Sequence, residues 1–178
     1  YRAGRMTSEK LRVQRFHLWL ERLRRDPGPA PRLAPLYLDE FSSRAELVSG
    51  ARRALQHAAR AGRRLGVVTN GIDRVQRRRL RAGALTDVFS TIVTSERAGF
   101  TKPDPRIMEL ALRRLRCAPE QALYVGDDHH VDGLAATRSG VPFVWFNPAR
   151  APRPEDAGVV VHHEIASLLE LRALLARD

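Results

Sequence analysis

An apolar segment, Ala122–Val125, runs into a turn that contains three carboxylates, Asp127, Asp128 and Asp132. Carboxylates gathered at the end of an apolar strand repel one another unless a cation binds among them. Their hard oxygen atoms favour Mg²⁺. The pattern therefore predicts a magnesium site with Asp127 and Asp128 as candidate ligands. Asp128 also suits the cap of a following helix, and both interpretations of this residue stay open.

Histidines lie beside these carboxylates and again near the last predicted strand, as the pairs His129-His130 and His162-His163. Imidazoles serve as zinc ligands and as general bases. We nevertheless interpret all four as exposed loop residues.

A second strand-like segment, Leu65–Val68, ends in Thr69, Asn70 and Gly71. A hydroxyl and freely accessible backbone N–H groups at a strand end are suited to binding an oxyanion or a phosphate. The alternative is an ordinary strand-to-helix turn in which Thr69 or Asn70 caps the helix. The sequence alone leaves both interpretations open.

Lys102 follows a third strand-like segment, Thr91–Thr94, in the motif Lys-Pro-Asp-Pro. Asp104 is placed to cap the next helix, with Pro105 in its first turn. Only Lys10 and Lys102 are lysines, against 29 arginines. A lysine is a compact point charge that the planar guanidinium does not replace, so its use here indicates a specific role.

These motifs lie on short apolar segments that alternate with helical ones, and the alternation predicts a doubly wound α/β fold with a parallel sheet. In such a sheet, ligands bind beyond the carboxyl ends of the strands. Residues 1–50 are predicted to form a small helical cap module, and residues 51–178 the α/β core. The predicted helices are 7–24, helical material over 36–60, then 73–82, 105–116, 132–139 and 164–176, and a fourth strand is predicted at Pro142–Phe146.

The composition narrows the possible classes of protein. The net charge is +11, but the arginines are scattered along predicted helices without interleaved aromatics, so we expect solvated helix faces and no nucleic-acid binding. A positive surface attracts anionic substrates. One cysteine excludes a disulfide framework. No apolar run is long enough for a membrane helix and the first residues do not resemble a signal peptide, so we expect a cytoplasmic monomer or homodimer.

The chain has three motifs in a fixed order, each at a strand end: Thr-Asn-Gly, then Lys-Pro, then Gly-Asp with Asp132 five residues after Asp127. Together they resemble the haloacid dehalogenase superfamily of hydrolases. The resemblance covers most of the chain. Tyr1–Leu23 is similar to part of the helical cap in the branch that includes pyrimidine 5′-nucleotidases. The resemblance implies a Mg²⁺-dependent phosphatase that acts on a small phosphate monoester, such as a nucleoside monophosphate, through a phospho-aspartyl intermediate.

The resemblance also implies roles for individual residues. Lys102 would neutralise the phosphoryl group and the nucleophile, and Asp132 would orient Lys102 or support the water shell of the metal. Developing negative charge would thus meet fixed positive charge. The remaining implied contacts are Mg²⁺ at Asp127 and phosphoryl oxygens at Thr69 and at the backbone of Asn70 and Gly71.

The family's first motif, an apolar strand ending in Asp-x-Asp, is not found. The nearest segment, Leu36–Phe41, has Phe41 two positions after Asp39 and lies where the family has cap helix. Without that central strand, buried backbone groups of its neighbours would lack partners. We therefore expect the native chain to extend before Tyr1 and to carry the nucleophile there, and we expect no phosphatase activity from these 178 residues alone.

Two alternatives remain open. A haloacid dehalogenase of the same fold needs no metal, and its relatives lack the acidic Gly-Asp strand end, so Asp127 favours the phosphatase. A non-catalytic remnant would bind phosphate or Mg²⁺ without turnover.

Overall fold

A computed structural model describes residues 8–155 and 158–176. The five strands in these ranges pair only in parallel, in two separate sheets: β1 with β2, and β3–β4–β5 in that order. The predicted parallel α/β architecture is confirmed. The strands are β1 Gly66–Thr69, β2 Thr91–Thr94, β3 Tyr124–Gly126, β4 Phe143–Phe146 and β5 His163–Ile165.

Helices separate and cover the strands. In chain order they are α1 Ser8–Arg22, α2 Ala30–Ser43, α3 Ala51–Arg60, α4 Asp73–Ala82, α5 Ser95–Ala98, α6 Arg106–Leu115, α7 His129–Arg138 and α8 Leu171–Leu175. Short 3₁₀ turns lie at Pro119–Gln121 and Leu168–Glu170. No helix in the described ranges is long and apolar enough to cross a membrane.

The single helix predicted over 164–176 is wrong. The chain first forms β5, which pairs with β4. A capping box then starts a 3₁₀ turn: the Ser167 hydroxyl accepts the Leu169 N–H, and Glu170 accepts the N–H of Ser167 at 2.8 Å. These local hydrogen bonds delay the helix to Leu171. The material predicted over 36–60 is two helices, because Gly50 adopts a left-handed conformation (φ 80°) immediately before α3.

The core lies between the strands and two of the helices. Helix α6 packs on β1 and β2, and α7 packs on β3 and β4. The small residues Ala135 and Ala136 of α7 are fully buried, which lets that helix approach the sheet closely. The main buried cluster comprises Val93, Ile107, Met108, Ala111, Leu112, Ala135 and Val141.

The edges of β1 and β3 face away from their own paired strands. The Ser90 N–H donates to the Leu65 carbonyl, so the Leu65 carbonyl points toward β2. Backbone carbonyls alternate in direction along a strand, so the Val68 carbonyl, three residues later, points to the other side. The Tyr124 N–H donates to the Pro142 carbonyl beside β4, so the backbone N–H and carbonyl of the next residue, Val125, point away from β4. β1 is half-exposed, whereas β2 beside it is mostly buried. The described residues place no strand between β1 and β3.

The first two helices pack on each other and then on the core. The rings of Phe16 and Tyr37 lie 5.6 Å apart, and Tyr37 stacks on Phe41. Asp39 forms an ion pair of 2.9 Å with Arg78 of α4. Trp19 and Tyr37 nevertheless stay 53% and 42% exposed, so these aromatics only partly bury one another. The first residues of the predicted cap module, 1–7, lie outside the described ranges.

Candidate active site

Lys102 is the centre of a buried hydrogen-bond network between the two sheets. Its Nζ donates to Asp132 Oδ1 at 2.6 Å, to the Tyr124 hydroxyl at 2.9 Å and to the Val68 carbonyl at 3.2 Å. The residue is only 8% exposed. An ammonium has three donors, and all three have acceptors here. Lys102 therefore bridges β1 and β3, and its charge is paired with that of Asp132.

Asp132, in the first turn of α7, uses both carboxylate oxygens. Oδ1 accepts from Lys102 and from the Tyr124 hydroxyl (3.0 Å), and Oδ2 accepts from the Asp128 N–H (3.1 Å). A Cβ on Gly126 would lie 2.6 Å from the Asp132 Cγ, so glycine is required for this carboxylate to approach the end of β3. The geometry places Asp132 where it orients Lys102.

Tyr124 completes a triangle with these two residues. Its hydroxyl accepts from Lys102 and donates to Asp132. Burial, and then the negative charge of Asp132 and the hydrogen bond to it, raise the pKa of Tyr124 far above its ordinary value. This residue was not predicted from the sequence. Its position two residues before Gly126 is the available signal, because residues two apart in a strand share a face, and Asp132 of α7 approaches Gly126 on that face.

The Asn70 side chain holds the backbone of Lys102. Its Oδ1 accepts the Lys102 N–H at 2.7 Å, and its Nδ2 donates to the Lys102 carbonyl at 2.9 Å. The sequence predicted phosphate contacts for the Asn70 backbone, but not these two hydrogen bonds of its side chain. Within the described ranges, the Thr69 hydroxyl has no hydrogen-bond partner. The turn over Thr69–Gly71 and Lys102 are thus brought together.

Asp127 and Asp128 are both exposed but differ in their partners. Asp128 Oδ1 accepts the Val131 N–H at 2.8 Å and caps α7. The Asp127 carbonyl accepts from Trp145 Nε1 at 3.1 Å, while its carboxylate has no partner among residues 8–155 and 158–176. No three His, Cys, Asp or Glu side chains in those ranges converge as a metal site. The Asp127 carboxylate is therefore available to a ligand, with hard oxygen atoms of the kind Mg²⁺ prefers.

The interpretation of His129 as an exposed loop residue is wrong. It is the first residue of α7 and only 6% exposed, because its ring packs edge-on against Trp145 with centroids 5.0 Å apart. In the described structure, neither ring nitrogen has a hydrogen-bond partner. His130, His162 and His163 are exposed, as predicted, but His130 lies in α7 and His163 in β5 and not in loops.

A second charged cluster, centred on Asp73, fixes the start of α4 beside the Thr69–Gly71 turn. The buried Asp73 carboxylate accepts from Arg77 Nε at 2.8 Å, and Arg97 Nε lies 3.1 Å away. Glu96 accepts the Asp73 N–H at 2.9 Å. Burial alone would raise the pKa of Asp73, but Arg77, Arg97 and the Thr94 hydroxyl together hold it below its ordinary value.

These groups share the carboxyl edge of the strands. Asp132 accepts hydrogen bonds from both Lys102 and the Asp128 N–H, and Asp127 is the residue before Asp128. A buried cation, an unpaired carboxylate and an unpaired hydroxyl therefore lie around the ends of β1 and β3. This set can bind a dianionic ester and stabilise charge that develops on it.

The chain is similar to known hydrolases. Residues 20–146 match the family described as haloacid dehalogenase-like hydrolase. The chain is 32% identical over 179 residues to pyrimidine 5′-nucleotidase YjjG of Escherichia coli, covering 99% of this chain and 76% of that protein. It is 38% identical to phosphoserine phosphatase of Thermus thermophilus over 73% of this chain, but spans only 51% of that relative.

Solved structures give the same fold. The HAD-hydrolase YfnB of Bacillus subtilis, a structure described as bound to magnesium, superposes with a TM-score of 0.84 and 26% identity, covering 98% of this chain and 75% of that one. A 2-haloacid dehalogenase from Pseudomonas syringae superposes with a TM-score of 0.70 and 29% identity, covering 95% and 71%.

Proposed function

The chain belongs to the haloacid dehalogenase-like hydrolase family, and on that premise we propose that it forms most of a Mg²⁺-dependent phosphatase acting on a small phosphate monoester. The buried Lys102–Asp132 pair beside the free carboxylate of Asp127 is the observation that carries the proposal. A buried ammonium and a carboxylate suited to a metal at one strand edge fit a substrate with two negative charges.

Each group has a defined task in this proposal. Lys102 neutralises charge on the phosphoryl oxygens, and Asp132 and Asn70 hold it in place. The Thr69 hydroxyl and the N–H groups of Asn70 and Gly71 donate to the same oxygens. Asp127 would hold Mg²⁺, which supplies further neutralisation of the phosphoryl charge when bound.

The nucleophile is the part that the described residues do not supply. We infer that it is the first aspartate of an Asp-x-Asp motif on a strand that precedes Tyr1 and enters between β1 and β3. The outer edges of β1 and β3 support this position: the Val68 carbonyl accepts only from the Lys102 side chain, and Val125 has no backbone partner among the described residues. A parallel strand there would pair with both edges. It would place the aspartate next to Lys102, the reacting phosphoryl group and Asp127.

A nucleoside 5′-monophosphate is the substrate we propose. The similarity to the E. coli pyrimidine 5′-nucleotidase over nearly the whole chain supports it. Tyr37 and Trp19 on the first two helices offer exposed aromatic surface of the kind that stacks on a base. Other relatives are named for phosphoserine and for glyceraldehyde 3-phosphate, so the substrate panel must include these esters.

A dehalogenase of the same fold is the second candidate, and the Pseudomonas structure favours it. Asp127 after Gly126 argues against it, because dehalogenation needs no metal ligand at this position. A non-catalytic phosphate-binding remnant is the third.

One assay separates the three. The protein including the segment before Tyr1 is incubated with p-nitrophenyl phosphate, nucleoside monophosphates, phosphoserine, glyceraldehyde 3-phosphate and 2-chloropropionate, each with Mg²⁺ and with EDTA. Mg²⁺-dependent phosphate release supports the proposal. Metal-independent chloride release supports the dehalogenase and overturns it. No release from any substrate, together with phosphate binding, supports the remnant.

A further inference from the structure

We propose that Tyr124 is a positioning residue whose hydroxyl fixes the direction of the Lys102 ammonium. Its effect on catalysis rests on the phosphatase function proposed above, but its effect on the ammonium does not. The Lys102 ammonium has three N–H groups, and Asp132, Tyr124 and Val68 each accept one of them.

Two of these three bonds form a closed triangle with the hydrogen bond from Tyr124 to Asp132. Lys102 donates to Tyr124, Tyr124 donates to Asp132, and Lys102 donates to Asp132, with donor–acceptor distances of 2.9, 3.0 and 2.6 Å. The two acceptors come from β3 and α7, which pack on each other. The third bond, to the Val68 carbonyl, is the longest at 3.2 Å and points toward β1. The triangle therefore directs the third N–H to the Val68 carbonyl and holds the positive charge at the outer edge of β1, beside the turn that is proposed to bind the phosphoryl group.

The direction of the hydroxyl proton is fixed by its neighbours. An ammonium cannot accept a hydrogen bond, so the tyrosine proton must go to Asp132 and its lone pair must face Lys102. Burial and the charge of Asp132 keep this hydroxyl protonated, since they raise the pKa of Tyr124. The hydroxyl proton of Tyr124 therefore points to Asp132, and its oxygen accepts from Lys102.

Packing of the ring does not explain the hydroxyl. The ring of Tyr124 stacks near Phe143 with centroids 6.3 Å apart, a contact that phenylalanine would keep. Tyr124→Phe leaves one Lys102 donor and one Asp132 acceptor without a partner in a buried site. The ammonium would then be paired to Asp132 alone on that side and would rotate among other acceptors.

The scarcity of lysine allows a direct test that needs no turnover, on the protein with its preceding segment. Lys10 and Lys102 are the only lysines in these 178 residues, so a protein labelled with ε-¹⁵N-lysine gives few side-chain ammonium signals, and the signal that is lost in Lys102→Arg is that of Lys102. The buried Lys102 signal is expected to be sharp, with slow proton exchange. Tyr124→Phe should accelerate that exchange roughly tenfold or more. Tyr37→Phe makes the same chemical change at an exposed site and should leave the signal unchanged. An unaltered Lys102 signal in Tyr124→Phe would overturn the proposal.

Kinetics on the protein with its preceding segment give the second readout. For p-nitrophenyl phosphate, Tyr124→Phe should lower kcat by about 10- to 100-fold, the range for losing a hydrogen bond to a charged group, with KM within about threefold. The urea midpoint of the variant shows separately whether the fold is weakened. An unchanged kcat overturns the catalytic part of the inference. A wild-type protein without phosphatase activity overturns the proposed function instead, and the ammonium signal still decides the positioning role.

Discussion

The side-chain amide of Asn70 pairs with the backbone of Lys102 through two hydrogen bonds, of 2.7 and 2.9 Å, although 32 positions separate them. The amide acts as a substitute peptide group: it accepts the Lys102 N–H and donates to the Lys102 carbonyl. This contact ties the turn after β1 to the loop after β2. It places the buried cation beside the turn that is proposed to bind the phosphoryl group.

Asn70→Ala should therefore lower kcat for p-nitrophenyl phosphate by about tenfold, because both bonds to the Lys102 backbone are lost and the ammonium is held less firmly. The measurement is steady-state kinetics at saturating Mg²⁺. Gln121→Ala is the matched control, because it removes another side-chain amide that accepts a backbone N–H, that of Ala118, outside the proposed site. A kcat for Asn70→Ala within twofold of wild type would show that the loop is held without this amide.

Asp127 and Asp128 are expected to differ in their effect on the metal. Asp127→Asn should raise the Mg²⁺ concentration for half-maximal activity at least about tenfold, because the unpaired carboxylate is the proposed ligand. Asp128→Ala should remove the cap of α7 and cost about 1 kcal/mol of unfolding free energy, with little change in the Mg²⁺ requirement. Magnesium titration of activity and urea unfolding measure the two effects. An equal metal effect from Asp128→Ala would identify that residue as a ligand as well.

The low pKa of Asp73 predicts a contribution to stability that acid removes. Because its folded-state pKa lies below the ordinary 3.8, the contribution is complete above the unfolded-state pKa and is lost as the pH falls through the folded-state value. The free energy of unfolding of Asp73→Asn should thus be lower than that of wild type at pH 6 and should fall less on acidification to about pH 2.5. Urea unfolding across this range checks it, with the exposed Asp87→Asn as control. Parallel pH profiles for Asp73→Asn and wild type would contradict the prediction.

His129→Leu should stabilise the protein by about 1–3 kcal/mol, because two buried ring nitrogens without partners are replaced by apolar atoms beside Trp145. The exposed His163→Leu should stay within about 0.5 kcal/mol of wild type. Urea unfolding measures both. A loss of stability in His129→Leu would mean that the imidazole has a hydrogen-bond partner in solution.

The sequence predicted which residues would lie together at one edge of the strands. Lys102, Asp127 and Asp132 each follow an apolar strand, and parallel strands bring such positions to one edge regardless of the details of packing. The alternation of strands and helices likewise predicted every strand from β1 to β4, with ends shifted by one or two residues.

Contacts between distant side chains could not be predicted in this way. Tyr124 meets Lys102 across 22 positions, which depends on how β3 lies relative to the loop after β2. The burial of His129, at the start of α7, was not predicted because it depends on contact with Trp145 of β4. The last predicted helix failed because Ser167 and Glu170 cap it later than its apolar pattern begins.

The central claim is that Lys102 and a metal act together on a phosphate monoester. It is tested most directly by hydrolysis of p-nitrophenyl phosphate by the protein with its preceding segment, in four combinations: wild type and Lys102→Ala, each with Mg²⁺ and with EDTA. We predict measurable turnover only for wild type with Mg²⁺, and a fall of at least about 1,000-fold in the other three. Comparable turnover by Lys102→Ala with Mg²⁺, or by wild type in EDTA, would contradict the account.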